Sequence, residues 1–141
     1  MTYTGRCACG AVAATIAAEP VAVRQCWCRQ CQQLAGGGSS TNVMFPTEAI
    51  TLTGALATHS YVAASGNTVH HGFCGNCGTP VLGWADVRPQ FRAFRVGFIE
   101  EPHGLRPQMA IWIDEAPAWA VIAPDLERFP RQPPPPVTQS D

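Results

Sequence analysis

Lysine is absent from all 141 residues, and the basic side chains other than histidine are nine arginines. Without a lysine amine there is no Schiff-base chemistry. Charge of either sign is scarce: 13% of the residues are charged and the formal net charge is −1, which leaves no basic footprint for nucleic acid. Although 46% of the chain is hydrophobic, no apolar run approaches the roughly 20 residues that span a bilayer. The opening MTYTGRCACG carries neither a basic start nor an apolar signal segment. These absences lead to the expectation of a cytoplasmic protein with no membrane and no nucleic-acid partner. In that compartment structural disulfides are rare.

Helical periodicity is also nearly missing. Short runs of β-branched, aromatic and alternating residues recur between turn signals, so a mainly β domain is expected. The strands are expected at 11–16, 43–45, 50–53, 57–62, 69–73, 81–84, 91–99 and 109–113. Ser65 to Asn67 has the composition of a hairpin turn and Glu100 to Gly104 that of a loop, and CQQLA after Cys31 can form a turn or two of helix before Gly36 to Gly38 stop it. Trp84, Trp112 and Trp119 follow apolar patterns and are expected in the core. Four consecutive prolines cannot donate to a sheet, so residues 1–130 are read as the domain and 131–141 as a proline-rich C-terminal tail.

What the chain has in abundance is sulfur. Its seven cysteines fall in three clusters: CAC (Cys7, Cys9), CWCRQC (Cys26, Cys28, Cys31) and FCGNCG (Cys74, Cys77). In C-x-x-C two thiolates grip one ion, and in C-x-C on extended backbone the two side chains share a face. Glycine follows both pairs, Gly10 and Gly78, where a tight loop calls for positive φ. A closed structural zinc takes four ligands and a reactive one commonly keeps three. Seven therefore divides into Cys7, Cys9, Cys74 and Cys77 around one ion, with Cys26, Cys28 and Cys31 as an open tripod rimmed by Gly36 to Ser40. Other readings stand beside this one: disulfides, which would leave an odd thiol; a redox pair at Cys28 and Cys31; and two structural zincs, the second completed by His59, His70, His71 or His103.

The blocks GRCACGAVAATI, CWCRQCQQLAGG and FCGNCGTPVLGW, followed by FRVGFIEEP, MAIWIDEAPAW and DLERFP, resemble the glutathione-dependent formaldehyde-activating enzymes, which share a domain with centromere protein V. The resemblance implies a fold of the β-tent type, made of twisted antiparallel sheets stitched by zinc. It implies two Zn²⁺ per chain, a structural ion on Cys7, Cys9, Cys74 and Cys77 and a catalytic ion on Cys26, Cys28 and Cys31. It further implies a carbon–sulfur lyase that joins a small aldehyde, formaldehyde, to a small-molecule thiol such as glutathione. Two positions depart from the family's middle block: Trp27 stands in place of histidine and Gln32 in place of arginine. Arg24 and Arg29 are the candidates to take over the charge that glutathione's carboxylates need. A non-catalytic zinc module for protein binding or adduct sensing is the competing reading.

Overall fold

The computed structural model describes residues 2–135. As expected, the chain is mainly β. Strands β1 (Tyr3–Arg6), β2 (Ala13–Ile16) and β5 (Ile50–Thr53) make a three-stranded antiparallel sheet in the order β1-β2-β5. A second sheet has eight strands: β3 (Ala22–Cys26), β4 (Ser40–Pro46), β6 (Leu56–Val62), β7 (Thr68–Cys74), β8 (Pro80–Ala85), β9 (Phe91–Arg95), β10 (Met109–Ile111) and β11 (Glu127–Arg128). Their order is β11-β10-β3-β4-β9-β8-β7-β6. One helix, α1 (Arg29–Ala35), follows β3 and ends on Gly36 in the left-handed conformation. No helix among the described residues is long and apolar enough to cross a membrane.

The large sheet keeps the expected antiparallel pairing over most of its width, and β10 alone lies parallel to its neighbours β3 and β11. These contacts involve the chain's return after residue 100, where sequential hairpins no longer dictate direction. The strand expected over 91–99 stops at Arg95, and Val96–Phe98 coil into a 3₁₀ turn; Ile113–Glu115 do the same after β10. Strands β1, β3 and β11 carry no clear turn-bounded alternation and were not anticipated. In β3 consecutive residues Ala22, Val23 and Arg24 are all buried, so the strand shows no in–out contrast. The hairpin at Ser65 to Asn67 is present, closed by Ala63 N–H to Asn67 O at 2.8 Å with Gly66 at φ 87°.

Side chains alternate across a strand, so each sheet face has its own character. In register across the large sheet, Val23 faces Val43, Val43 faces Phe94 and Phe94 faces Leu82. All four are buried, and they meet Tyr3, Ala14 and Ile16 of the small sheet and Val12 just before β2 in one core. The opposite face of the same strands carries the polar residues described below. A bridge from Gly5 to Ile99 ties the small sheet to the chain just beyond β9. A Cβ on Gly5 would lie 2.5 Å from the Phe98 ring and 2.9 Å from the Phe98 carbonyl oxygen, so only glycine permits the approach.

Beyond β11 the chain runs back along β10: Ile113 N–H donates to Phe129 O (3.2 Å) and Trp112 N–H to Arg131 O (3.3 Å). Of the tail read as 131–141, residues 136–141 lie outside the described residues. Gly5→Ala is expected to cost about 1–3 kcal/mol through overpacking against Phe98, read as a lower midpoint of denaturant unfolding.

Candidate functional site

The two sheets are pinned at one end by sulfur. Cys7 and Cys9 follow β1, and Cys74 and Cys77 lie at the β7–β8 connection, Cys74 being 65 residues from Cys9. Two matching loops present them. Gly10 N–H donates to Cys7 O (3.1 Å) and Gly78 N–H to Cys74 O (2.8 Å), with φ of 81° and 79° at the two glycines. The four sulfurs all lie within 4.8 Å of one another, with Cys7 to Cys9 and Cys9 to Cys74 both at 3.7 Å. Ligands about 2.3 Å from a tetrahedral zinc are roughly 3.8 Å apart, whereas a disulfide requires about 2.05 Å. All seven cysteines are free. Backbone N–H groups of Val12 (3.2 Å) and Cys77 (3.5 Å) aim at the sulfurs of Cys7 and Cys74. The Thr79 hydroxyl, 3.1 Å from Cys77, and its backbone N–H hold the Cys77 thiol down at about 5, in the thiolate range a metal ligand needs.

The second cluster belongs to the β3–α1 corner. Cys26 ends β3, Cys28 caps α1 by accepting Cys31 N–H at 3.4 Å, and Cys31 sits in the first helical turn. Their sulfurs also lie within 4.8 Å of one another. Hydrogen bonds from Cys26 and Cys31 hold Cys28 down at about 3, while hydrogen bonding with Cys28 and Cys31, then burial, push Cys26 far up. The cluster thus supports a single negative charge unaided, and three thiolates require a cation among them. Both groups have the geometry and donor chemistry to hold a metal ion. Among the described residues, no further cysteine and no histidine, aspartate or glutamate joins the trio.

The candidate histidines are placed elsewhere. His70 lies between Ser60 Oγ (2.6 Å) and Asp86 Oδ1 (2.7 Å), stacked on Trp84. His103 contacts Glu101 (3.0 Å) and accepts Leu105 N–H (2.9 Å), and His59 stacks beside Tyr61. His71 alone lines the cavity that the trio also borders.

Trp27 and Gln32, the two departures from the family pattern, both point into the protein. Gln32 Nε2 donates to Trp27 O (2.7 Å) and Glu115 O (2.9 Å), tying α1 to the chain after β10. Trp27 is 4% exposed and meets Trp119 edge-on at 6.5 Å. Trp119 itself is 67% exposed, not in the core, because it lies in an irregular segment that covers Trp27 with one edge only. Arg29 lies outside the cavity lining; its side chain contacts Gln32 and its backbone N–H donates to Glu115 Oε2 at 2.7 Å.

The cavity has a volume of about 260 Å³ and uses the non-core face of the large sheet as its floor. Register builds that floor: Arg24 on β3 faces Asn42 on β4, and Asn42 faces Arg95 on β9. Arg95 Nη1 donates to Asn42 Oδ1 at 2.6 Å, and its charge acts on all three cysteines. Next to it on β8, a Cβ on Gly83 would lie 3.0 Å from Arg95 Nη2 and 3.2 Å from His70 O, so glycine makes room for the guanidinium. His71 packs edge-on to Tyr61 at 5.0 Å. Burial, then the charge of Arg95, hold the His71 imidazole down at about 4. Burial, then the nearby Cys28, push the Tyr61 phenol up to about 12. At neutral pH one is an uncharged base and the other an uncharged donor.

Of the arginines weighed from the sequence, Arg24 reaches the cavity and Arg29 does not; Arg88 and Arg95 were missed. FRAFR carried no alternation to read, because its buried residues Phe91 and Phe94 are three apart, so strand pairing decides which arginine reaches the cavity.

Residues 2–115 match the family of the glutathione-dependent formaldehyde-activating enzymes, and the chain belongs to that family. No curated protein matches it. A crystal structure of a Rhodobacter sphaeroides protein superimposes with a TM-score of 0.57 at 21% identity, covering 74% of this chain and 97% of that one, a likeness of fold.

A histidine titrating near 4 binds its proton later in the folded chain than in the unfolded one. Stability is therefore expected to fall as pH drops from about 6.5 through 4 and to level off below. NMR titration should place the His71 midpoint near 4, and His71→Gln should flatten that limb of the stability profile.

Proposed function

We propose that this chain is a zinc-dependent carbon–sulfur lyase that adds a thiol to a small aldehyde, with Cys26, Cys28 and Cys31 holding the reactive ion. Cys7, Cys9, Cys74 and Cys77 hold a second, structural ion. The observation that carries this reading is the trio of sulfurs, without a fourth protein ligand among the described residues, at the wall of a cavity lined by His71 and Tyr61. The family supplies formaldehyde and glutathione as the first substrates to try. Seven free thiols favour a reducing compartment, the cytoplasm.

A Zn²⁺ held by Cys26, Cys28 and Cys31 would supply a soft Lewis acid that favours a sulfur ligand over hydroxide and lowers a bound thiol's proton affinity. The chain's own groups do the rest. Neutral His71 accepts that proton and returns it to the product oxygen. The un-ionised Tyr61 hydroxyl donates a hydrogen bond to the aldehyde oxygen as negative charge grows there. Arg95 balances the negative sulfur cluster and fixes the floor through Asn42. In balance, the sulfur–carbon bond forms as the carbonyl π bond breaks, the proton leaves sulfur and ends on oxygen, and nothing is oxidised. The reverse is the lyase direction.

Native mass spectrometry should find two zinc ions per chain. Cys74→Ser is expected to lose the fold, because a structural zinc contributes directly to folding. Cys28→Ser should keep the β-sheet circular dichroism signal and hold one ion. In a cobalt-substituted protein, a small thiol should change the visible spectrum of one ion only. Two spectroscopically inert ions would instead indicate a protein-binding or adduct-sensing module.

A further inference from the structure

The cavity holds more positive charge than its sulfur chemistry uses. Arg24, Arg88 and Arg95 line it, and Glu115 is the one carboxylate among its lining residues. A Glu115 oxygen already accepts the Arg29 N–H. Arg95 is bonded to Asn42 and lies in the field of the cysteine trio, so its charge is answered from within the protein. Arg24 is different. It is 6% exposed, yet its Nε has no hydrogen-bond partner among the described residues. The ion pairs that arginine forms there use Arg106 and Arg131, and neither lines the cavity. Burying a guanidinium N–H without an acceptor is costly, and such a group in a native fold marks a missing partner. Arg88, on the β8–β9 connection, brings a second positive charge to bear on Arg24. Two like charges at one wall are both relieved by an oxyanion, which guanidinium groups bind through paired N–H donors.

Position sets the distance of that wall from the chemistry. Arg24 and Cys26 are two apart on β3, so both project from one face with Cα atoms about 7 Å apart.

We propose that Arg24 and Arg88 form an oxyanion subsite, and that the substrate thiol is a compact acid lacking an ammonium group. The proposal rests on the thiol-binding reading of the three-cysteine site. A thiol that carries an ammonium, such as glutathione, would add a positive charge to a cavity lined by three arginines and a single carboxylate, so a purely anionic thiol is preferred over it.

The test uses the full chain loaded with cobalt and compares thiols of similar reach by their effect on the visible spectrum. The probes are 3-mercaptopropionate, 2-mercaptoethanol, cysteamine and glutathione. Expected is at least tenfold tighter binding of 3-mercaptopropionate than of the other three. That ratio should shrink towards one in Arg88→Ala and in Arg24→Met. In parallel, succinate, which has no sulfur, should raise the melting temperature of the wild type and not that of Arg88→Ala.

Equal binding of all four thiols would overturn the subsite while leaving the thiol chemistry in place. Glutathione binding as tightly as 3-mercaptopropionate would overturn the ammonium argument. If no thiol moves the spectrum but succinate still stabilises the wild type through Arg88, the function above fails and the oxyanion subsite stands.

Discussion

Thiols held within 4.8 Å of one another cannot all be thiolates unless a cation sits among them, and the protein builds that condition twice. At the first place four sulfurs join the end of β1 to the β7–β8 connection, so the small sheet and the far end of the large sheet meet around them. At the second, three sulfurs crowd the corner where β3 becomes α1. Burial and mutual hydrogen bonding leave one of the three charged and another strongly resistant to ionisation. The same crowding that is unfavourable without a metal becomes favourable once a divalent ion accepts the lone pairs.

The large sheet separates architecture from chemistry by the two-residue period of its strands. Val23, Val43 and Phe94 on one face build the core, while their neighbours Arg24, Asn42 and Arg95 on the other face make the cavity floor. Glycine sets local limits on both faces: Gly5 lets Phe98 approach the small sheet, and Gly83 leaves room for the Arg95 guanidinium. The half-buried charge of Arg95 is tolerable because an amide oxygen accepts from it and the sulfur cluster lies within its field.

The two positions that depart from the family pattern have a structural explanation here. Gln32 fastens the helix to the chain after β10, and Trp27 is covered by its own neighbours, so neither faces the cavity. Positive charge is delivered instead from β3, β9 and the β8–β9 connection.

Cysteine spacing alone divided the seven sulfurs into groups of four and three, because C-x-C and C-x-x-C each keep two sulfurs close enough to serve one ion whatever surrounds them. The mainly β class was legible for a related reason, since alternation and turn residues act over a few positions. Strands β1, β3 and β11 escaped because β3 is buried along consecutive residues, β1 (YTGR) offers Tyr3 as its one large apolar side chain, and β11 has only two residues. Only the tertiary structure decided which arginines meet the cysteines. Arg24 and Arg95 are 71 positions apart in the chain, and they come onto one floor because each pairs in register with Asn42. That pairing depends on strand order, which is set by burial of the whole core and leaves no mark on the residues around either arginine.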